Sequence, residues 1–597
     1  MDIRFNRLLD LKSSGTVWTY QNTFKKIEQH VDARLSRISR DTNDLNILLK
    51  WFSSHPPFLE LNEIISISTG VIGDTTINCH NAYEIGLIEM KKIIGQTYGT
   101  VKLKRSNRVL PIAILNSSIR IREEIISIDP LFIFQRISIM KTSNEELKSY
   151  FEYELSPYPL SLFNEMGTRK TKKSILYDFI QSSNLESFTL GNALYVIDGG
   201  FLLHRVMWQL NLTFNQIFQL YLSYIRKHFG TNAVIVFDGY NESSTSTKNM
   251  ERNRRVKNTS ADILFDENMV PTVAQTSFLS NIRNKSRLIQ MLSSYLIGKG
   301  YIIKQANDDA DTVIVNEAIK RTQSQSVVVV GQDIDLLVLL IALTPVENQI
   351  IFLKPGNGGN EKKIYSIQDI QKVNGIKMSI LFLHAISGCD TVSCFYNIGK
   401  LKHFKLLNQF PELQGIVNVF NCPNSTPENI FKAEERYTLK LYGAPQSQTN
   451  IDEYRYLLFT RKTAGNKFKL ASLPPSKEAL KQHIYRTYHQ VQMWHGEEKN
   501  AKDWGWQTTR NGLQPIFSWN EPAPKCILEK ITCACTKNCG AACGCRKQGL
   551  KCSTACKTCS GLSCLNCEQQ IIEEESDDNS NEDEDEIVYG PSSKRKK

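Results

Sequence analysis

Two apolar segments near the middle of the chain constrain the fold more than any other feature. Residues 301–306 and 326–331 have the length and β-branched content of buried parallel strands, and a helix-length segment separates them. Each apolar segment is followed by a pair of acids: Asp309 and Asp311 after the first, Asp333 and Asp335 after the second. Open α/β sheets bind ligands at the carboxyl ends of their strands. Because converging carboxylates repel one another unless cations neutralise them, the pattern predicts a divalent-metal site.

Two further strands precede this region. ALYVID ends at Asp198 and AVIVFD ends at Asp238, and residues 201–229 between them predict one long amphipathic helix. Four strands alternating with helices predict an α/β fold with a parallel sheet and helices on both faces. A seventh acid, Asp390, follows a predicted helix at 378–386.

A single aspartate after a strand is commonly only a turn former or the N-cap of the next helix. That interpretation fits each of these acids taken alone. It does not explain pairs spaced two residues apart on two successive strands together with single acids on two more.

The charge of the chain indicates a polyanionic partner. The formal net charge of the 597 residues is +11, but the segment after Cys567 holds eleven acids and four bases, so residues 1–567 carry 68 basic against 50 acidic side chains. With 41% hydrophobic residues the chain is typical of globular proteins, and its length predicts several domains. The charged start MDIRFNRLLDLK lacks the apolar core of a signal peptide, so secretion is not expected. No transmembrane helix is predicted, because the chain has no apolar run of about 20 residues.

Ten cysteines crowd the segment before the acidic tail. They are Cys533, Cys535, Cys539, Cys543, Cys545, Cys552, Cys556, Cys559, Cys564 and Cys567. Without a secretory signal, this density favours tetrahedral Zn²⁺ binding over a disulfide knot. Ten thiolates complete two separate four-cysteine sites, whereas three zinc ions require some thiolates to bridge.

The acidic motifs VIDGG, VFDGY, DDADT, GQDIDLL and SGCDT, in that order, resemble those of the flap-endonuclease family of 5′ nucleases within the PIN-like fold, over about residues 166–415. The resemblance implies a two-metal-ion phosphodiesterase that uses Mg²⁺ or Mn²⁺. It assigns Asp198, Asp238, Asp309, Asp311 and Asp333 to direct or close contact with the ions, and Asp335 and Asp390 to the other ion, partly through waters. Two departures stand out: the family usually has Glu at the positions of Asp309 and Asp311, and here about 165 residues precede the core.

The same resemblance implies contacts with nucleic acid. The family places a basic gateway for single strands between the second and third motifs, where this chain has Arg252, Arg254, Arg255 and Lys257. After Asp390 the chain resembles the family's helix-two-turn-helix, and NIGKLK supplies Gly399 and Lys400 for backbone contact with a duplex phosphate. The alternative for the basic segment is a solvated charged loop, and the alternative for NIG is a helix C-cap.

CACTKNCGAACGCRKQGLKC resembles the first half of the tesmin/TSO1-like CXC domain, a zinc-bound DNA-binding module, whereas the second half lacks the usual second C-x-C. The resemblance implies two or three zinc ions and DNA contacts by Lys537, Arg546, Lys547 and Lys551. The combination of both modules also resembles multi-copy invertebrate proteins of mobile-element character.

We therefore predict six regions. They are a mixed α+β region at 1–165, a nuclease core at 166–345 with a basic insertion at 243–277, a helix-two-turn-helix extension at 346–415, a helical Trp-containing region at 416–525, the zinc module at 526–567, and a disordered acidic tail at 568–597. A basic cluster at 169–173 fits either the entrance to the core or the solvated start of a helix.

PSSKRKK at the end predicts nuclear localisation. The predicted function is a structure-specific nuclease acting on branched or flapped DNA. A DNA-binding chromatin protein with an idle nuclease fold and an RNA-cleaving PIN-type enzyme are the alternatives.

Overall fold

The structure is a computed structural model. It describes residues 35–54, 71–72, 82–96, 117–121, 124–140, 143–165, 167–180, 182–183, 193–240, 247, 261–323, 325–356, 362–373, 375–463, 468–509, 512–533, 535, 539–547, 549–553, 555–556, 559, 564 and 566. The predicted gateway residues (Arg252, Arg254, Arg255 and Lys257), Lys537, Cys567 and the acidic tail lie outside these residues.

The N-terminal part contains helices and short strands. Its elements are α1 (Leu35–Ser54), β1 (Val71–Ile72), α2 (Ala82–Lys91), β2 (Ser118–Ile121), β3 (Glu124–Ser127), α3 (Phe132–Met140), α4 (Asn144–Tyr150), β4 (Phe163–Asn164), β5 (Gly167–Thr168) and α5 (Ile175–Phe179). Strands β2 and β3 pair antiparallel, as do β4 and β5.

The central part carries the main sheet. Its elements are β6 (Leu194–Asp198), α6 (Gly199–Arg205), α7 (Phe214–Phe229), β7 (Ala233–Phe237), β8 (Asp262–Ile263), α8 (Gln275–Ser280), α9 (Ile282–Ile297), β9 (Ile302–Gln305), α10 (Asp311–Arg321), β10 (Val327–Val330), α11 (Ile334–Leu343), β11 (Ile350–Lys354) and β12 (Lys363–Ser366). Six strands form one sheet in the order β12-β11-β10-β6-β7-β9. Only β12 runs antiparallel to its neighbour, so the predicted α/β class with a parallel sheet is confirmed.

The alternation of side chains along β10 shows how the sheet divides the core. Val327 and Val329 pack on one face, with α10, α11 and later helices, whereas Val328 and Val330 pack on the other face with α6, α7 and α9. Successive residues of a strand point to opposite faces, so a run of four valines can fill two cores at once.

Two local predictions were wrong. The predicted helix at 201–229 is two helices, because Thr213 starts α7 with a capping box to Gln216 and Asn211 adopts a positive φ of 62°. The strand predicted to be buried at 301–306 is the edge strand β9, in which Ile302 is 43% exposed. The sheet also continues through β11 and β12, beyond residue 345.

The C-terminal part is mainly helical. Its elements are α12 (Ile367–Gln371), α13 (Ile376–Ile386), α14 (Lys400–Gln409), a 3-10 helix at Pro411–Leu413, α15 (Gln414–Asn421), α16 (Pro427–Leu441), α17 (Ile451–Thr463), a 3-10 helix at Leu470–Ser472, α18 (Lys477–His495), a 3-10 helix at Ala501–Asp503, β13 (Trp506–Thr509), β14 (Gly512–Pro515), α19 (Lys525–Leu528) and α20 (Gly544–Lys547). Helices α13 and α18 pack in the same core as α11. No helix in the described part is long and apolar enough to cross a membrane.

A third core joins the N-terminal region to the segment that leads into the cysteine module. It contains apolar side chains of β2, β3, α3 and α4 together with side chains from 470–473, 523–531 and Ala555. The guanidinium of Arg136 donates a hydrogen bond to the carbonyl of Lys551. Residues far apart along the chain are therefore held in one packed unit.

Candidate functional site

Six of the seven predicted aspartates line one cavity at the carboxyl ends of the parallel strands. The cavity has a volume of about 780 Å³. The six are Asp198, Asp238, Asp309, Asp311, Asp333 and Asp390. They follow β6, β7, β9, β10 and α13, so five separate chain segments contribute to the site. The parallel sheet explains this convergence, because all its strand ends reach the same edge.

Asp198 and Asp333 are helix caps as well as cavity residues. Asp198 Oδ1 accepts a hydrogen bond from the Gly200 N–H at 2.7 Å, and Asp333 Oδ1 accepts one from the Asp335 N–H at 3.1 Å. The capping interpretation is thus correct for both residues. It does not exclude a second role, because a carboxylate has two oxygens and both residues also face the cavity.

A close backbone approach brings Asp238 beside the first acid pair, Asp309 and Asp311. Asp238 Oδ1 accepts a hydrogen bond from the Ala310 N–H at 3.1 Å, and the Gly239 N–H donates to the Asp308 carbonyl at 2.9 Å. A Cβ at residue 239 would lie 2.1 Å from the Ala306 carbonyl oxygen, so only glycine fits there. Close packing against the Ala306 carbonyl therefore requires the glycine of the VFDGY motif.

The collected carboxylates shift one another's titration. Burial and the nearby Asp238 raise the pKa of Asp198 to about 7. Burial and the charge of Asp335 raise the pKa of Asp333 to about 6. Both shifts express the cost of holding anions together in a poorly solvated place, and a bound cation would offset that cost.

Asp335 does not line the cavity, and its carboxylate makes one ion pair and one hydrogen bond. Its Oδ2 accepts from Lys173 Nζ at 2.7 Å, and its Oδ1 lies 2.9 Å from His384 Nε2. Burial by itself favours the neutral acid, but the contacts with His384 and Lys173 hold the pKa of Asp335 well below its usual range. Lys173 Nζ also donates to Asp390 Oδ1 at 2.6 Å.

The tautomer of His384 follows from its partners. Lys400 Nζ lies 3.2 Å from His384 Nδ1. An ammonium can only donate, so Nδ1 accepts and Nε2 carries the proton that is donated to Asp335. Burial and the nearby Lys400 lower the pKa of His384 to about 4, so the ring is neutral at pH 7. Sequence reasoning missed Lys173 and His384 as parts of the site, because neither belongs to an acidic motif.

Side chains of α6, α8 and α9 also line the cavity. They include His204, Thr276 and Lys285, and the Lys285 ammonium lies 5.2 Å from the ring centroid of Tyr240. Thr276 belongs to the predicted basic insertion, so the end of that insertion reaches the cavity. Lys285 was not predicted as a site residue, because a lysine in the first turn of an ordinary helix has no distinguishing signal in the sequence.

The predicted phosphate contact at Gly399 and Lys400 uses backbone N–H groups, and the structure shows that the lysine ammonium has other partners. Gly399 is exposed and precedes α14, as expected for a turn that offers backbone N–H groups. Lys400, however, is 1% exposed, and its Nζ donates to the Gly388 carbonyl at 2.7 Å and to Ser387 Oγ at 3.0 Å. Its ammonium is therefore enclosed, and only the backbone contact stays a prediction.

The cysteine module contains two overlapping groups of potential metal ligands. Within each group the sulfur atoms lie within 4.8 Å of one another: Cys533, Cys539, Cys543 and Cys552 in one, Cys539, Cys552, Cys556 and Cys559 in the other. Burial raises the pKa of Cys533, Cys539 and Cys552, which disfavours unpaired thiolates. The clusters are compatible with zinc, and ions filling both groups would share two bridging sulfurs.

Three more of the predicted zinc ligands, Cys535, Cys545 and Cys564, are described in the structure but belong to neither group. Arg546, Lys547 and Lys551 are exposed on this module. In the part of the chain that the structure describes, only cysteines form groups with three or more donor atoms within 4.8 Å, so the cavity carboxylates stand further apart than the thiols.

Comparisons with known proteins give a family match and distant structural matches. Residues 14–154 match the family described as "Domain of unknown function (DUF8702)". No curated protein matches the chain significantly.

Among solved structures, the catalytic core of Rad2 in complex with DNA substrate has 12% identity and a TM-score of 0.30, covering 53% of this chain and 97% of that one. The eukaryotic junction-resolving enzyme GEN-1 has 12% identity and a TM-score of 0.29, covering 56% of this chain and 66% of that one. A bacteriophage flap endonuclease with DNA and metal ions has 12% identity and a TM-score of 0.25, covering 50% of this chain and 100% of that one.

Proposed function

We propose that this protein is a divalent-metal-dependent, structure-specific nuclease that hydrolyses phosphodiester bonds in branched or flapped DNA. The observation that carries the proposal is the convergence of six aspartates, from four strand ends and the end of α13, on one cavity of about 780 Å³. The five acidic motifs that supply them resemble those of flap endonucleases.

The donor set suits Mg²⁺ or Mn²⁺. Carboxylate oxygens are hard ligands, and the raised pKa values of Asp198 and Asp333 indicate that the cavity favours added positive charge. A cavity lined by six carboxylates would otherwise repel a phosphodiester. When bound, such an ion activates water for attack on phosphorus and stabilises the leaving oxygen.

The residues of the chain divide the remaining tasks. Asp198, Asp238, Asp309, Asp311 and Asp333 would hold the ion against the scissile phosphate, directly or through water molecules. Lys285 also lines the cavity, where its ammonium would orient the backbone phosphates. The two-ion prediction assigns Asp335 and Asp390 to the second ion, and this requires Lys173 to release both carboxylates.

The cysteine module would add affinity for DNA. With Zn²⁺ bound, its exposed Arg546, Lys547 and Lys551 would contact backbone phosphates, which makes binding strongly dependent on salt. The basic end PSSKRKK would direct the protein to the nucleus.

A cleavage assay with Asp333→Asn tests the proposal. Flapped, gapped and single-stranded DNA and single-stranded RNA are incubated with Mg²⁺ or Mn²⁺ and either wild type or the variant. Asparagine still caps α11, so the fold is kept, but one anionic metal ligand is lost. We expect the cleavage rate to fall roughly 100-fold or more, with DNA binding retained.

Asp503→Asn is the matched control, since Asp503 is an exposed aspartate that does not line the cavity. It should cut like wild type. Absence of cleavage by wild type with every substrate and metal would refute hydrolysis and favour the DNA-binding protein without activity. Faster cleavage of RNA than of DNA would instead favour the PIN-type ribonuclease.

A further inference from the structure

Lys173 occupies the place where the sequence predicts part of the metal site. Its Nζ lies 2.7 Å from Asp335 Oδ2 and 2.6 Å from Asp390 Oδ1, so one ammonium bridges the two carboxylates assigned to the second ion. The Lys173 side chain is 21% exposed and that of Asp335 only 6%. Charged contacts this short and this enclosed are stronger than surface ion pairs.

The bridge is held from several sides. Both oxygens of Asp335 are engaged, Oδ2 by Lys173 and Oδ1 by His384 Nε2 at 2.9 Å. His384 is in turn fixed by the buried Lys400 ammonium. On the other side, Lys170 Nζ donates to the Asp390 carbonyl at 2.8 Å. The lysine therefore belongs to a built network, and Asp335 does not line the cavity.

A divalent cation at this position would meet two obstacles. Mg²⁺ requires oxygen ligands at about 2.0–2.1 Å, and the two carboxylates already surround an ammonium. An ion inserted beside Lys173 would place like charges together in a poorly solvated pocket. Expelling Lys173 would remove the charge that balances the buried Asp335.

We propose that the Lys173 ammonium takes the place of the second divalent cation, so that the cavity binds one divalent cation instead of two. That cation belongs to the aspartates that follow β6, β7, β9 and β10. This inference rests on the proposed metal-dependent function and concerns the ion count of the same site. Asp335 and Asp390 are then partners of a lysine, and Lys173 supplies a fixed positive charge beside the cavity.

The number of bound Mn²⁺ ions tests the inference without any activity measurement. Full-length protein isolated with its zinc is titrated with Mn²⁺, and free Mn²⁺ is counted by electron paramagnetic resonance; thiolates prefer zinc, so their sites stay filled. We expect one Mn²⁺ per wild-type chain and no Mn²⁺–Mn²⁺ dipolar coupling. Two coupled ions in wild type would overturn the inference and leave the proposed function standing, whereas no bound ion would overturn the proposed function.

Two substitutions of Lys173 sharpen the test. Lys173→Ala opens the position and should raise the count from one ion to two, while Lys173→Arg keeps the positive charge and should keep one. A count of one in folded Lys173→Ala would overturn the claim that the lysine excludes the second ion. If Lys173→Ala does not fold, Asp390→Asn replaces it: we expect one ion with an affinity within about threefold of wild type, and loss of an ion would overturn the inference.

Discussion

Replacing Lys400 with methionine should change how the stability of the protein depends on pH. The side chain is 1% exposed, and its Nζ donates to His384 Nδ1, to Ser387 Oγ and to the carbonyls of His384 and Gly388. Burial lowers the pKa of Lys400 from 10.5 to about 8, a shift that the nearby Cys389 and Asp335 only partly oppose.

The sign and size of the effect follow from this shift. In the unfolded chain the pKa of Lys400 returns to its ordinary value of 10.5, so between about pH 8 and 10.5 the unfolded state binds more protons than the folded state. The cost of the buried charge is therefore present below pH 8 and is relieved as the pH rises to 10.5. One pKa unit corresponds to about 1.4 kcal/mol, so the full gain is about 3 kcal/mol.

Urea unfolding followed by circular dichroism from pH 7 to 10.5 measures this gain. The free energy of unfolding of wild type minus that of Lys400→Met should rise by about 3 kcal/mol across the window. Thiols and tyrosines also titrate there, but they are common to both proteins and cancel. Lys405→Met, an exposed lysine of the same helix, should give a flat difference. Parallel curves for wild type and Lys400→Met would refute the reasoning.

Two further predictions concern the third core. Arg455→Met should lower the free energy of unfolding by about 3–5 kcal/mol, because the buried guanidinium donates to the carbonyls of Phe151, Tyr153 and Pro474. Thermal melting measures this loss of stability, and a loss below about 1 kcal/mol would contradict the prediction. Mass spectrometry of the intact protein should find two or three zinc ions, and fewer than two would refute the zinc prediction. Removing the zinc with a chelator should then speed amide hydrogen exchange in α3, because Ala555 packs in the same core and Arg136 donates to the Lys551 carbonyl of the cysteine module. Unchanged exchange in α3 would refute this coupling.

The main elements of the sheet and most of the cavity were predictable from local patterns. The β-branched run at 326–331 contains strand β10, and β7 ends at Phe237, directly before Asp238, as the motif AVIVFD predicts. These features were predictable because strand length and turn residues are local properties. The burial of β9 was not predictable, because an apolar strand looks the same at the edge as at the centre of a sheet until its neighbours are known.

The networks around the site depended on contacts between distant residues. Lys173 and Asp335 are 162 positions apart, and Lys173 and Asp390 are 217 apart, so no window of sequence contains both partners. The burial of Lys400 was missed for the same reason, since a lysine at the start of a helix normally faces solvent.

By itself the sequence determined which residues could end strands, which carboxylates could reach a common edge, and which thiols were dense enough to bind metal. Only the tertiary structure decided that six aspartates face the cavity while Asp335 turns to Lys173 and His384. The physical reason is that strand and turn preferences act over a few residues, whereas the partner of a buried charge is chosen by whichever distant segment the packing brings beside it.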